Sequence, residues 1–110
     1  MGTKLPKSHL HARARHWAER MKVKPRVVRV QAMRKKWGSC SRRGVVTLAA
    51  DMARQSETMQ DAVIVHELLH LKIRNHGRVF KALMTAYVPG WRALRFVECR
   101  FDGGPSRIRP

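Results

Sequence analysis

The sequence predicts an α+β fold, and three patterns support this prediction. Apolar residues recur at three- and four-residue spacing between positions 7 and 22, which is typical of an amphipathic helix. Positions 26 to 33 alternate between two faces, as a strand requires. Positions 62 to 65 and 68 to 69 are apolar around nearly the whole circumference of a helix, which indicates a helix buried in the middle of a domain. A short sheet packed on a central helix follows from these patterns.

The first helix and two strands have clear sequence limits. Pro6 starts the helix and Pro25 bars its continuation, so residues 1 to 25 are predicted to form a basic amino-terminal helix. Val45 to Leu48 is a second strand candidate. Between the two strands, the small and glycine residues from Trp37 to Gly44 suit a hairpin connection.

The central helix is predicted to begin at Ser56 or at Thr58, which starts a capping-box pattern. It is predicted to run to about Arg74. Asn75 and Gly77 tolerate the left-handed backbone that ends such a helix.

A further helix is predicted from about Arg78. Its shared apolar face consists of Phe80, Leu83, Met84 and Tyr87. Pro89 and Gly90 interrupt it, and helix is predicted to resume from Trp91 to Val97. Residues 102 to 110 hold two glycines and two prolines, so they are predicted to form a flexible tail.

Length and composition favour one intracellular domain spanning residues 1 to 110. No apolar run approaches the ~20 residues of a membrane span, and the amino terminus lacks the apolar stretch of a secretory signal. Cys40 and Cys99 are too few for a disulfide framework, so both are predicted to be reduced thiols. We therefore expect a cytoplasmic protein without a membrane span.

The net charge of +17 is extreme for 110 residues, because a small soluble domain more often carries a charge of magnitude about 2 to 8. Nucleic acid is the first candidate for a polyanionic partner, since Lys and Arg gain affinity by releasing counterions from phosphates. An anionic membrane surface is the second. The alternative is a basic surface that only keeps the protein in solution.

The segment His66-Glu67-Leu68-Leu69-His70 carries the predicted chemistry. Two histidines four residues apart on a helix project from one face and can bind the same ion. A catalytic zinc takes three protein ligands and keeps a fourth position for water. His76 can supply the third if the chain doubles back after the helix, at about Asn75 and Gly77. The alternative is Glu98, in the thermolysin-type arrangement where a later glutamate completes the site.

Glu67 follows the first of these histidines without being a ligand. It is therefore predicted to be the general base that takes a proton from a zinc-activated water. One Zn²⁺ per chain is the predicted cofactor. The remaining histidines lie in the amino-terminal helix and are predicted to be solvated: His9, His11 and His16.

Three blocks in this order resemble the YgjP-like metallopeptidases, which are predicted metal-dependent hydrolases related to the WLM and SprT-like zinc proteases. The blocks are Lys36 to Ser41, Val63 to Leu71, and Asn75 to Phe80. The resemblance covers roughly residues 26 to 97. It implies a minimal zincin-like domain, in which a small antiparallel sheet packs on the active-site helix with flanking helices. It also implies His66, His70 and His76 as zinc ligands and Glu67 as the catalytic residue.

This chain departs from the family pattern at two places. It has Ala49 or Ala50 where an asparagine commonly follows the second strand, and Ala62 where an aromatic residue commonly stands four positions before the first ligand. These departures concern substrate contacts and packing rather than the metal.

Further side chains are candidates for contacts with substrate or with the developing oxyanion. Tyr87 and Arg78 are the candidates for the oxyanion, since a phenol or a cation can stabilise charge beside the metal. Trp37 and Ser39 are predicted to lie in the hairpin bend near the site. Cys40 offers the alternative of blocking the open zinc position as a thiolate.

The leading hypothesis is a zinc peptidase whose extended peptide or protein substrate pairs with an edge strand and crosses the metal. A second hypothesis is a DNA-associated, SprT-like protease held on nucleic acid by its basic surface. A third is a nucleic-acid-binding module with structural zinc, but a structural zinc needs no general base and generally has four protein ligands. The sequence names neither a side-chain specificity nor an oligomeric state.

Overall fold

A computed structural model describes residues 7 to 94 of the chain, with side chains from His9 onward. The predicted α+β class is confirmed. In chain order the helices and strands are α1 (Lys7–Met21), β1 (Val27–Gln31), β2 (Gly38–Cys40), β3 (Val45–Ala49), α2 (Glu57–Leu69) and α3 (Arg78–Tyr87). Short 3-10 helices lie at Ala50–Arg54 and Trp91–Ala93. None of the helices between residues 7 and 94 has both the length and the apolar character needed to cross a membrane.

The three strands form a mixed sheet with the order β1-β3-β2. β2 pairs antiparallel with β3, and Ser39 lies opposite Thr47. β1 pairs parallel with β3, and Arg29 lies opposite Thr47. The predicted hairpin between residues 26–33 and 45–48 is therefore wrong, and the small sheet is antiparallel in only one of its two pairings.

The difference arises because the predicted hairpin bend contains a strand of its own. Gly38 to Cys40 form β2, which occupies one edge of β3 as its hairpin partner, and the turn lies at residues 41 to 44. The other edge of β3 is left for β1, which runs parallel to it. β2 is consequently an edge strand of this sheet.

Helix α1 matches the prediction for residues 7 to 22 and packs across α2. Its apolar face is buried: Leu10, Ala14, Trp17, Ala18 and Met21. Asp61 of α2 accepts hydrogen bonds from Arg13 Nε and Trp17 Nε1, each 2.9 Å long, and forms an ion pair with the Arg13 guanidinium. These bonds fix α1 against the first turns of α2.

Helix α2 is the centre of the domain. Ser56, one of the two predicted starts, is its N-cap, and its hydroxyl accepts a hydrogen bond from Met59 N at 3.1 Å. Residues 62 to 70 are all buried. The sequence pattern is thereby explained, because this helix is covered by α1 and α3 and by the sheet and has no solvent face along this stretch.

Helix α2 ends at Leu69, five residues before the predicted end at Arg74. The backbone N–H groups of Leu71 and Lys72 bond to carbonyls three residues earlier, which tightens the last turn. The His70 ring bonds to the Ile73 carbonyl oxygen at 2.9 Å. The chain therefore turns away from the helix axis immediately after His70.

Helix α3 begins at Arg78 as predicted and buries Phe80 and Met84. The resumed helix predicted for Trp91 to Val97 is a single 3-10 turn at Trp91–Ala93, as far as the described chain reaches. The 3-10 turn at Ala50–Arg54 was not predicted, because it is too short to show a helical period. Glu98, Cys99 and the predicted tail from 102 to 110 lie outside the described residues.

Candidate metal centre

Two histidine rings project from the end of α2 into one buried space. His66 lies in the last turn of the helix and His70 is its C-cap residue. Only 1% of His66 and 6% of His70 is exposed, and their ring centroids are 4.7 Å apart. The four-residue spacing thus brings the two imidazoles together, as predicted from the sequence.

His76 reaches the same space from the loop that follows α2. The side chain of Asn75 caps this loop by accepting a hydrogen bond from Gly77 N at 3.0 Å. Nε2 of His76 lies 3.1 Å from Nε2 of His66 and 3.1 Å from Nε2 of His70. The chain doubles back, as predicted, but it begins to do so directly after His70 rather than at Asn75 and Gly77.

The three Nε2 atoms have the spacing of metal ligands. Ligand atoms of the three histidines lie within 4.8 Å of one another. Bonds of about 2.05 Å at tetrahedral angles place two nitrogen ligands about 3.3 Å apart, close to the separations from His76. The donor set fits zinc, because three neutral imidazoles suit this ion and leave a fourth position open.

Hydrogen bonds at the other ring nitrogens orient these imidazoles. Nδ1 of His70 donates to the Ile73 carbonyl oxygen at 2.9 Å, and Nδ1 of His66 donates to Glu67 Oε2 at 3.1 Å. When Nδ1 carries the proton, the lone pair of Nε2 faces the centre of the cluster. Both rings are therefore held in the tautomer that a metal requires.

Phe80 packs against all three histidines and was not predicted as part of the site. Its ring stacks on His70 with centroids 5.0 Å apart, and it meets His66 and His76 edge-on at 5.1 Å and 4.9 Å. Phe80 is 2% exposed and belongs to α3. The sequence signal was present, because Phe80 ends the third block of the family resemblance. Only the fold shows that its ring restrains the three imidazoles.

Glu67 belongs to α2 and is 1% exposed, and its side chain packs against the edge strand β2. A Cβ atom added at Gly38 would come within 3.0 Å of Glu67 Cγ and 3.2 Å of a Val63 methyl group. Glycine at position 38 therefore allows β2 to close on the helix beside Glu67. This packing role of Gly38 was also missed, although the glycine belongs to the first block of the resemblance.

The environment of the site shifts the pKa values of His70 and Cys40. Burial, and next the proximity of His66, lowers the pKa of His70 from 6.5 to about 4. His70 is consequently neutral at pH 7. Burial, and next the Glu67 carboxylate, raises the pKa of the Cys40 thiol, while Arg74 opposes this shift. Cys40 is therefore a neutral thiol near pH 7, which disfavours a role as a blocking thiolate.

The other predicted contact residues occupy different surroundings. Tyr87 packs edge-on against Trp17 of α1, with ring centroids 6.0 Å apart, and Arg78 is exposed at the start of α3. Trp37 is buried in the hydrophobic core. Ser39 lies between Gly38 and Cys40 in β2, so its side chain points away from the face that meets Glu67. The contacts of these four residues with substrate stay predictions.

The histidines of the first helix differ from one another. His9 is half-buried, and its Nε2 lies 3.1 Å from the Gln60 side-chain oxygen, so the prediction that it is solvated is wrong. His16 is exposed and contacts Trp17 edge-on. The difference arises because His9 lies on the side of α1 that meets α2.

Comparison with known proteins agrees with the fold. Residues 3–96 match the family model described as YgjP-like, metallopeptidase domain. The metallopeptidase zymogen jannalysin of Methanocaldococcus jannaschii is similar in structure, with a TM-score of 0.67 and 19% identity over 81% of this chain and 94% of that chain. The metallopeptidase zymogen abylysin of Pyrococcus abyssi is also similar, with a TM-score of 0.66 and 24% identity over 81% of this chain and 88% of that chain. No curated protein matches the chain.

The fold and the family match define a metal-dependent peptidase. The match covers most of the chain, and the chain belongs to the YgjP-like metallopeptidase family. The resemblance that the three sequence blocks indicated is thereby confirmed.

The lowered pKa of His70 predicts a pH-dependent stability of the metal-free protein. The unfolded chain binds more protons than the folded one between pH 6.5 and about 4. The contribution of His70 is therefore fully present above pH 6.5 and is lost as the pH falls toward 4. Urea unfolding across this pH interval measures the free energy of unfolding, and an NMR titration of the His70 ring measures its pKa.

The His70→Asn variant is the control, because it lacks the titrating ring and should lose less stability over the same interval. A His70 midpoint near 6.5 in the folded, metal-free protein would contradict the buried, neutral imidazole.

Proposed function

We propose that this chain is a zinc peptidase in which His66, His70 and His76 hold one Zn²⁺ and Glu67 is the general base. The observation that carries the proposal is the convergence of three histidine Nε2 atoms, with His76 3.1 Å from each of the other two. Zinc bound there would lower the pKa of a coordinated water to about 7 and polarise the scissile carbonyl. The chain then needs no nucleophilic serine or cysteine.

Glu67 is the residue that accepts and returns the proton in this reaction. It follows a ligand in sequence, and its Oε2 accepts the hydrogen bond from His66 Nδ1. The carboxylate can take a proton from the attacking water and return it to the amine that leaves. Burial beside β2 holds the carboxylate in one place through the reaction, because Gly38 allows the strand to pack against its side chain.

The edge strand β2 offers the backbone groups that an extended peptide would bind. Hydrogen bonds join Ser41 N to Val45 O at 2.9 Å and Ala49 N to Trp37 O at 2.8 Å. Bonded and non-bonded pairs alternate in an antiparallel ladder, so the backbone N–H and C=O groups of Gly38 point to the free edge. A peptide or protein segment paired there would run beside Glu67, which supports addition of the substrate as a further strand.

The substitution Glu67→Gln tests the proposed base. The amide has nearly the shape of the carboxylate but does not accept the proton, so hydrolysis of a peptide substrate should fall about 10²- to 10⁴-fold. Zinc content and thermal stability should stay close to those of the parent. The measurements are kcat/KM with an internally quenched peptide and metal analysis of the purified protein.

The matched control is Glu57→Gln, the same substitution at an exposed position in the first turn of α2. It should cleave as fast as the parent. Equal activity of Glu67→Gln and the parent would show that Glu67 is not the base, and a structural zinc in a binding module would become the better account.

A second candidate function is that of a DNA-associated protease, and the distribution of charge favours it. From α1 through the segment after β1, exposed basic side chains follow one another with Glu19 as the one acidic residue between positions 13 and 36. They are Arg15, Arg20, Lys22, Lys24, Arg26, Arg29, Arg34 and Lys35. Such a surface can bind phosphates whatever the base sequence.

Salt dependence tests this second candidate. Affinity for short duplex DNA should fall log-linearly with salt, by a slope of about 0.9 for each phosphate contacted, and should show little sequence preference. Replacing Arg20, Lys22 and Lys24 with glutamine should weaken binding and flatten the slope. The control replaces Lys72, Lys81 and Arg92, which are exposed on other elements. No retention of DNA at low salt, or equal effects of the two triple variants, would contradict it.

A further inference from the structure

A cavity adjoins the histidine cluster and shares one residue with it. It has a volume of about 230 Å³, and its walls are formed by Ser41, Arg42, His70, Leu71 and Arg74. His70 is shared between this cavity and the cluster, so a group bound in the cavity would lie next to the metal centre. Two of the five lining side chains are arginines and none is acidic.

Arg74 is held in place by the backbone on two sides. Its guanidinium donates to the His70 carbonyl oxygen at 3.2 Å and to the Cys40 carbonyl oxygen at 3.1 Å, and it approaches the Cys40 sulfur at 3.9 Å. These contacts use three of the five N–H donors of the side chain. The guanidinium of Arg74 is therefore oriented before any ligand binds, and two of its N–H donors remain for a further acceptor.

Arg42 lies in a turn that several hydrogen bonds hold in one conformation. The Ser41 hydroxyl accepts hydrogen bonds from Arg43 N and Val45 N, both at 3.2 Å, and Gly44 N donates to Ser41 O at 3.0 Å. Gly44 has a φ of 91°, a conformation that glycine adopts without strain. The turn thus fixes the backbone of Arg42 at the cavity wall.

Arg74 also lies where a substrate strand would end. Cys40, like Gly38, is a non-hydrogen-bonded position of the β2–β3 ladder, so its carbonyl points to the free edge of the sheet. Arg74 already bonds to that carbonyl. A peptide that pairs with β2 therefore meets the guanidinium at Cys40, and the cavity begins there.

We propose that this cavity is a substrate subsite for a carboxylate, bound by Arg42 and Arg74 next to the metal centre. The inference deepens the proposed peptidase function and rests on it. Guanidinium groups bind carboxylates through charge-assisted hydrogen bonds, and a fork fixed in advance loses little freedom on binding. The carboxylate is supplied by the substrate's terminus or by an aspartate or glutamate side chain.

Binding measurements on the zinc-loaded Glu67→Gln protein test this proposal without depending on turnover. The probes are short neutral peptides of one sequence, titrated by calorimetry as the free acid, as the carboxyl-terminal amide, and as amides with one glutamate or glutamine at successive positions. The carboxylate-bearing peptide should bind about tenfold more tightly than its amide or glutamine counterpart, as expected for a hydrogen-bonded charge pair. Tighter binding of the free acid would identify the substrate's carboxyl terminus as the source of the bound carboxylate. Tighter binding with glutamate at one position would identify a side chain as its source.

Arg42→Gln and Arg74→Gln should each reduce the ratio of the affinities for the carboxylate-bearing and the neutral peptide to nearly one. Arg54→Gln removes the same charge from an exposed position in the 3-10 helix Ala50–Arg54, away from the cavity wall, and should keep the preference. Arg42 is exposed, so its variant gives a result even if Arg74→Gln does not fold. Equal binding of acid and amide peptides, or an equal loss in Arg54→Gln, would overturn the subsite. If the preference is retained but the parent protein, with Glu67 intact, cleaves no peptide, the peptidase proposal is contradicted and the subsite stands.

Discussion

The end of α2 at Leu69 is the constraint on which the cluster of three histidines depends. A helix continued to Arg74 would carry His76 along its axis and away from the other two imidazoles. The bond from His70 Nδ1 to the Ile73 carbonyl oxygen joins the residue that ends the helix to the loop that follows it. The same bond fixes the tautomer of the His70 ring, so the path of the backbone and the ring nitrogen that faces the cluster are set together.

Polar groups so deeply buried need strong compensation. His66, Glu67 and His70 are each at most 6% exposed in the middle of an aliphatic core. The neutral imidazole of His70 reduces the cost of desolvation, and the hydrogen bond from His66 to Glu67 supports the carboxylate. Phe80 fills the space beside the three rings. This arrangement suits a cation at the centre better than it suits a purely structural core.

The sequence predicted the parts of this site that local spacing controls. The four-residue step from His66 to His70 follows from the helical period. The return of His76 was predicted from the turn residues Asn75 and Gly77, but the chain already turns after His70, where α2 ends. Pairing between strands was harder, because alternation shows that residues 26 to 33 form a strand but not which edge of β3 they occupy. The contacts of Phe80 and Gly38 join segments far apart in the chain, so no local pattern reveals them.

X-ray absorption at the zinc edge of the purified protein is the most direct test of the three-histidine site, because it reports the atoms bound to the metal. We expect about one zinc per chain with three imidazole nitrogens at about 2.0 to 2.1 Å and one oxygen from water. We also expect that His76→Ala loses the metal and Glu98→Ala keeps it. A sulfur ligand near 2.3 Å, or retention of zinc by His76→Ala with loss by Glu98→Ala, would contradict the three-histidine site.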